Sequence, residues 1–148
     1  MIHEHHRDGF TVSTDPARLD VDAVHAYLTA SYWAEGIPRE TVEQSLRGSL
    51  CFGLYEGERQ IGLARVITDE ATFAYLCDVY VLPERRGLGL GKCLMACVMA
   101  HPDLQGLRRF YLVTRDAHEL YRPFGFTEIQ NPERHMEIAR PGLYKGGG

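Results

Sequence analysis

The stretch Asp78-Val-Tyr-Val-Leu-Pro-Glu-Arg-Arg-Gly-Leu-Gly-Leu-Gly-Lys92 constrains this chain more than any other. An alternating apolar run stops at Pro83, glycines stand at positions 87, 89 and 91, and Lys92 is the only charge from Leu90 to Ala100. That is the pattern of a strand end, a loop and a mostly buried helix. Glycine frees the backbone to turn several N–H groups toward one point, and the positive end of the following helix favours an anion there. A phosphate-bearing ligand is the natural occupant. The same glycines also suit a tight strand-to-helix turn, and the residues alone leave both readings open.

Two nucleotide patterns fall away at once. Lys92 is followed by Cys93 rather than Ser or Thr, so the loop is not GxxxxGK[ST], and its glycines do not have the GxGxxG spacing. It also follows a run of strands in mid-chain instead of the first strand of a βαβ unit, which argues against NAD and ATP.

The segments before the loop read as an antiparallel meander: Leu50 to Glu56, Gln60 to Thr68 and Thr72 to Leu82, with turns at Gly57-Glu58 and Asp69-Glu70. In a regular second strand Ile61, Leu63 and Ile67 share a face with Arg65, opposite Gly62, Ala64 and Val66. In a regular third strand Phe73, Tyr75, Cys77, Val79 and Val81 face one side, and Asp78 and Tyr80 the other. Upstream, a short strand is expected at Phe10 to Ser13 and a turn at Asp15-Pro16. A helix capped by Asp20 follows with Val21, Val24 and Leu28 on its stripe, then a second helix opened by Pro38 with Val42 and Leu46. Downstream, Leu94, Cys97 and Val98 form the inward stripe of the helix that Pro102 ends. A strand at Arg109 to Thr114, a short helix at Ala117 to Pro123 and a last strand pair from about Thr127 to Ile138 complete the order. This is an α+β fold: a central mixed, mostly antiparallel β-sheet flanked by about four helices, with parallel pairing after the buried helix.

The 148 residues suit one domain spanning 1–148, with an ordered core from about 9 to 140. A composition of 45% hydrophobic and 24% charged residues excludes a disordered, collagen-like or coiled-coil chain. Sixteen Lys plus Arg against twenty Asp plus Glu leave a net charge of −4, which argues against nucleic acid and an acidic membrane surface as partners. With no apolar run of ~18 residues and no apolar leader, a cytoplasmic protein is expected. Cys51, Cys77, Cys93 and Cys97 lack CxxC spacing and read as reduced thiols. His3, His5 and His6 read as a frayed polar tail, so no metal is expected, and Gly146-Gly147-Gly148 reads as a flexible end.

Arg86-Gly87-Leu88-Gly89-Leu90-Gly91 matches the (Gln or Arg)-x-x-Gly-x-(Gly or Ala) loop of the GCN5-related N-acetyltransferase (GNAT) family. Asp116-Ala-His-Glu-Leu-Tyr-Arg-Pro-Phe-Gly-Phe126 is similar to the family's A-x-x-L-Y-x-x-x-G-F. The two lie at the family's spacing and in its element order, and the resemblance runs from about Phe10 to Ile138. It implies the GNAT fold and acetyl-CoA as cosubstrate. The pantetheine arm would pair with Val79, Tyr80 and Val81, and the pyrophosphate would sit on the amides of Arg86, Gly87, Leu88, Gly89, Leu90, Gly91 and Lys92. Tyr121 would protonate the departing thiolate. One departure matters: where many members carry Asn at the end of the preceding strand, this chain has Thr114, whose hydroxyl would take that place in binding CoA. A homodimer resembles what many relatives form.

Acetyl transfer needs a neutral amine, a polarised carbonyl and a proton for the leaving sulfur. A lysine-like amine with a pKa near ~10.4 is mostly protonated at neutral pH, so a carboxylate that takes its proton helps. Asp78 is the first candidate, set against a strand-end carboxylate making a structural hydrogen bond. Glu35 is the second, set against an ordinary surface glutamate. The main-chain N–H of Tyr80 or Val81 would meet the oxyanion. Tyr32, Trp33, Glu35 and Ile37 read either as the lining of an acceptor channel or as a lid over the core, and His118 as a solvated helix histidine. The expected activity is transfer of acetyl from acetyl-CoA directly to a primary amine, of a small molecule or a peptide. The alternative is a CoA-binding regulatory or interaction module without transfer.

Overall fold

A computed structural model describes residues 1–147; Gly148, the last residue of the expected flexible end, lies outside the described residues. The elements are β1 (Glu4–Arg7), β2 (Phe10–Ser13), α1 (Val21–Thr29), α2 (Arg39–Arg47), β3 (Leu50–Glu56), β4 (Arg59–Thr68), β5 (Phe73–Val81), α3 (Leu90–Ala100), β6 (Arg109–Leu112) and α4 (His118–Tyr121). The strands form one six-stranded sheet in chain order. Every pair is antiparallel except β5 and β6, which run parallel because α3 carries the chain back between them.

Local chemistry explains the helices. The Asp20 carboxylate accepts from the Ala23 N–H at 3.0 Å and starts α1, which buries Val24 and Leu28. Pro38 stands at the N-cap of α2 rather than inside its first turn, and Val42 and Leu46 are buried. In α3 the buried stripe is Leu90, Leu94, Met95 and Val98; Cys97 stays half-buried at its edge. Two apolar layers result. One packs α3 and Tyr121 against Phe52, Leu54, Ile61, Ala64, Val66, Ala74 and Leu76, and the other packs α1 and α2 against Cys51, Leu63 and Tyr80.

Two bulges move residues between these layers. Leu54 pairs with Gly62 and Tyr55 with Gln60, which leaves Ile61 as an extra residue in β4. It therefore packs in the α3 layer with Ala64 and Val66, not beside Leu63 as a regular strand requires. In β5, Tyr80 pairs with Leu63 and Cys77 with Arg65, so Asp78 and Val79 together oppose Ala64. Asp78 takes a left-handed φ of 50°. Beyond this bulge Val79 and Val81 pack against the α3 layer, parting from Phe73, Tyr75 and Cys77, while Tyr80 packs against α1 and α2.

Both chain ends depart from the sequence reading. The expected frayed histidines lie on or beside a strand: His5 and His6 pair with Val12 and Thr11 across a turn in which Asp8 and Gly9 have φ of 48° and 84°. The His3 N–H donates to Thr14 Oγ1 at 2.9 Å. Among the described residues, no strand forms between Thr127 and Ile138. Asn131 is left-handed at φ 53° and Pro132 opens a short 3-10 turn, which interrupts the run before a ladder can form. Further on, Tyr144 packs against the α1–α2 link.

Candidate active site

The parallel ladder between β5 and β6 extends from Phe73–Arg109 to Leu76–Leu112 and stops there. The bulge begins two residues later on β5, so the strands lose their pairing where the glycine loop and α3 begin. The loop enters through a 3-10 turn at Pro83–Arg85; Gly87 and Gly89 have φ of 84° and 74°, and Gly89 is the N-cap of α3. A Cβ at Gly87 would meet nothing within 4 Å, so conformation rather than crowding asks for glycine there. Leu88 is exposed, Leu90 is buried in the α3 layer, and Gly91 faces Leu120 of α4. Lys92 is exposed in the first turn of α3.

Arg86 turns back over the strand end. Its Nε donates to the Val81 carbonyl at 3.0 Å and its guanidinium donates to the Tyr27 hydroxyl at 3.0 Å. The Tyr27 ring in turn stacks on Tyr80 with centroids 3.8 Å apart. Thr114 Oγ1 accepts from the Ala117 N–H at 3.0 Å and so starts the turn into α4, a structural use of the hydroxyl. Tyr121 ends α4 and is 8% exposed. Burial, with smaller effects from Tyr32 and Asp116, pushes its hydroxyl up to about 12, so it keeps its proton through the neutral range. Thr114, His118 and Tyr121 line one groove of about 800 Å³ beside β6.

Asp78 is engaged at both oxygens. Oδ1 accepts from Trp33 Nε1 at 2.8 Å and Oδ2 accepts from Arg65 Nε at 2.8 Å. Arg65 also donates to Ser49 Oγ at 3.0 Å. The side chains of Arg65 and Asp78 are 15% and 10% exposed, which makes this the buried ion pair of the cleft. The structural hydrogen bond weighed for Asp78 is thus present. Sequence reasoning saw Arg65 only as a charge in an apolar strand; that charge called for a carboxylate on a neighbouring strand. Glu35 sits apart, exposed, 3.7 Å from Lys145 Nζ. Trp33 joins the α1–α2 link to the bulge, and the Arg115 guanidinium lies 3.7 Å over the Tyr32 ring, joining that link to the turn before α4. Ile37 is buried with Val24 and Val42, so of the four link residues it is the one that covers the core. Among the described residues, no group of three or more His, Cys, Asp or Glu is arranged to hold a metal ion.

Comparison with known proteins agrees with this geometry. The sequence model described as "Acetyltransferase (GNAT) domain" matches residues 47–128. A Gibberella zeae protein named as an acetyltransferase is 40% identical, over 78% of this chain and 77% of that protein. A solved structure from Xanthomonas campestris pv. campestris, assigned to the GNAT family, is 52% identical and superposes with a TM-score of 0.91, covering 95% of this chain and 99% of that one. The fold is also shared with a Clostridium acetobutylicum acetyltransferase crystallised with acetyl-CoA, at 15% identity and a TM-score of 0.60, covering 93% of this chain and all of that one.

Proposed function

The chain belongs to the GNAT acetyltransferase family, and on that premise we propose that it transfers acetyl from acetyl-CoA directly to a primary amine. The observation that carries this reading is the bulge at Asp78–Val79, which begins two residues after the end of the β5–β6 ladder on the strand that leads into the glycine loop. Backbone at Val79, Tyr80 and Val81 would hold the pantetheine arm in this opening. The loop from Arg86 through Gly87, Leu88, Gly89, Leu90 and Gly91 to Lys92 would hold the pyrophosphate, with Thr114 on the β6 side. Acetyl-CoA, when bound, supplies the activated carbonyl.

The chain's own groups then divide the work. The N–H of Tyr80 or Val81 donates to the carbonyl oxygen. Asp78 Oδ1, which now accepts from Trp33, is the oxygen that takes the amine proton, while Arg65 holds Oδ2. Glu35 is the second choice for that role. Tyr121, kept protonated by its burial, gives its proton to the departing sulfur. One observation favours the second reading, a CoA-binding module without transfer: both Asp78 and Glu35 are ion-paired.

Calorimetric titration with acetyl-CoA, followed by thiol release over a panel of amines, tests the proposal. Binding followed by amine-dependent thiol release is expected; binding with no release over a broad panel supports the module instead. Tyr121→Phe should lower kcat by about a hundredfold or more while acetyl-CoA affinity holds. An unchanged kcat would remove Tyr121 from the mechanism.

A further inference from the structure

α1 and α2 cover only part of their side of the sheet, where their apolar partners are Cys51, Leu63 and Tyr80. Farther along the same face the strands stay open. Ile67 is 41% and Phe73 38% exposed, and Tyr75 and Tyr111 are half-buried. Register puts these four together: Ile67 pairs with Tyr75, and Tyr75 with Tyr111. Their neighbours Val66, Ala74, Leu76, Phe110 and Leu112 point the other way, into the α3 layer. The Tyr111 ring lies 5.5 Å from Tyr75 and 6.4 Å from Phe73, so the rings form a continuous aromatic floor.

The place of this floor says what covers it. It leads along β5 through Cys77 into Asp78, the residue at the proposed transfer point, whose carboxylate accepts from the Trp33 indole of the α1–α2 link. The ionised groups at this end of the floor face each other at 2.8 Å, so they neutralise one another. An acceptor with several ammonium groups finds no unpaired carboxylate in the row from Phe73 to Asp78, and a polyhydroxylated one finds few hydrogen-bonding groups. A flat ring finds rings to stack against, edge-on or offset. Residues advance about 3.3 Å along a strand, which puts Tyr75 roughly 7–10 Å from the bulge.

Resting on the acetyl-transfer reading above, we infer that the acceptor is an arylalkylamine, its aromatic ring on Tyr75 and Tyr111 and its primary amine, a short aliphatic spacer away, at Asp78. Thiol release from acetyl-CoA should be measured with 2-phenylethylamine, 4-phenylbutylamine, butylamine, spermidine and glucosamine. The aromatic amines should exceed butylamine in kcat/KM by about tenfold or more. Tyr111→Leu should raise their KM about fivefold with kcat and acetyl-CoA affinity held, and Phe73→Ser, at a more exposed site, should shift KM the same way. Equal or better turnover of spermidine or glucosamine overturns the inference while leaving acetyl transfer intact, as does an unmoved KM in both variants. Acetyl-CoA binding with no thiol release for any amine overturns the transfer reading and this inference with it. A wild-type dimer that Tyr111→Leu dissociates, with KM unmoved, identifies the floor as a contact between copies and overturns it too.

Discussion

Asp78 occupies a region of backbone space that costs a non-glycine residue of order 1 kcal/mol or more, and its two hydrogen bonds hold it there. The carboxylate and the Arg65 guanidinium are both mostly buried, so removing one leaves the other without a partner in a poorly solvated place. Arg65→Met is expected to lower unfolding free energy by about 3 kcal/mol in urea titration, and Arg65→Met combined with Asp78→Asn by clearly less than the sum of the single changes. Additive losses would show that the pair is not coupled. This partnership was half-legible in the sequence. A single charge within Ile61 to Ile67 announced a need, but which acid answers depends on register, and register was hidden.

Elements with a strong period were readable: the meander, the stripe of α1, the apolar α3 and the strand that follows it. Leu94 illustrates why, being fully buried at the centre of the helix face that the period marks. Leu94→Ala should cost about 2–5 kcal/mol, seen as a lower urea midpoint at unchanged slope; a loss under about 1 kcal/mol would mean that α3 packs loosely. Bulges have no comparable signature, because an extra residue is defined only against its neighbour strand, and so the sides of Ile61, Val79 and Val81 came out wrong. The first hairpin was missed although Asp8-Gly9 is a turn signal, since polar flanks hide a strand whose exposed side chains need no apolar alternation. The last strand pair was expected from Thr127 to Ile138 to close the sheet, and Asn131-Pro132 interrupts that run. Of the candidate site, the glycine loop and Tyr121 could be proposed from the sequence. The aromatic floor could not, because it assembles from three strands.

For the whole molecule, burial of acidic protons sets the response to alkali. Cys51 and Cys77 are pushed up to about 12, Cys97 to about 11 and Tyr121 to about 12, in each case chiefly by loss of water around the charged form. The unfolded chain releases its thiol protons from about pH 9, while the folded chain keeps them, so above that point the unfolded state binds fewer protons and stability falls as pH rises. Urea midpoints under reducing conditions should be level up to about pH 8.5 and decline beyond about pH 9. A midpoint that stays level to about pH 11 would contradict the burial of these groups. The single extra residue in β5 has a consequence at this scale as well. It acts as a phase shift, so that Phe73, Tyr75 and Cys77 stand on the α1–α2 side of the sheet while Val79 and Val81 pack into the α3 layer. A chain shortened by one residue there would pair one residue with Ala64 and keep Tyr80 opposite Leu63 and Val81 opposite Gly62, each in its present layer, so what it would lose is the local opening of the ladder.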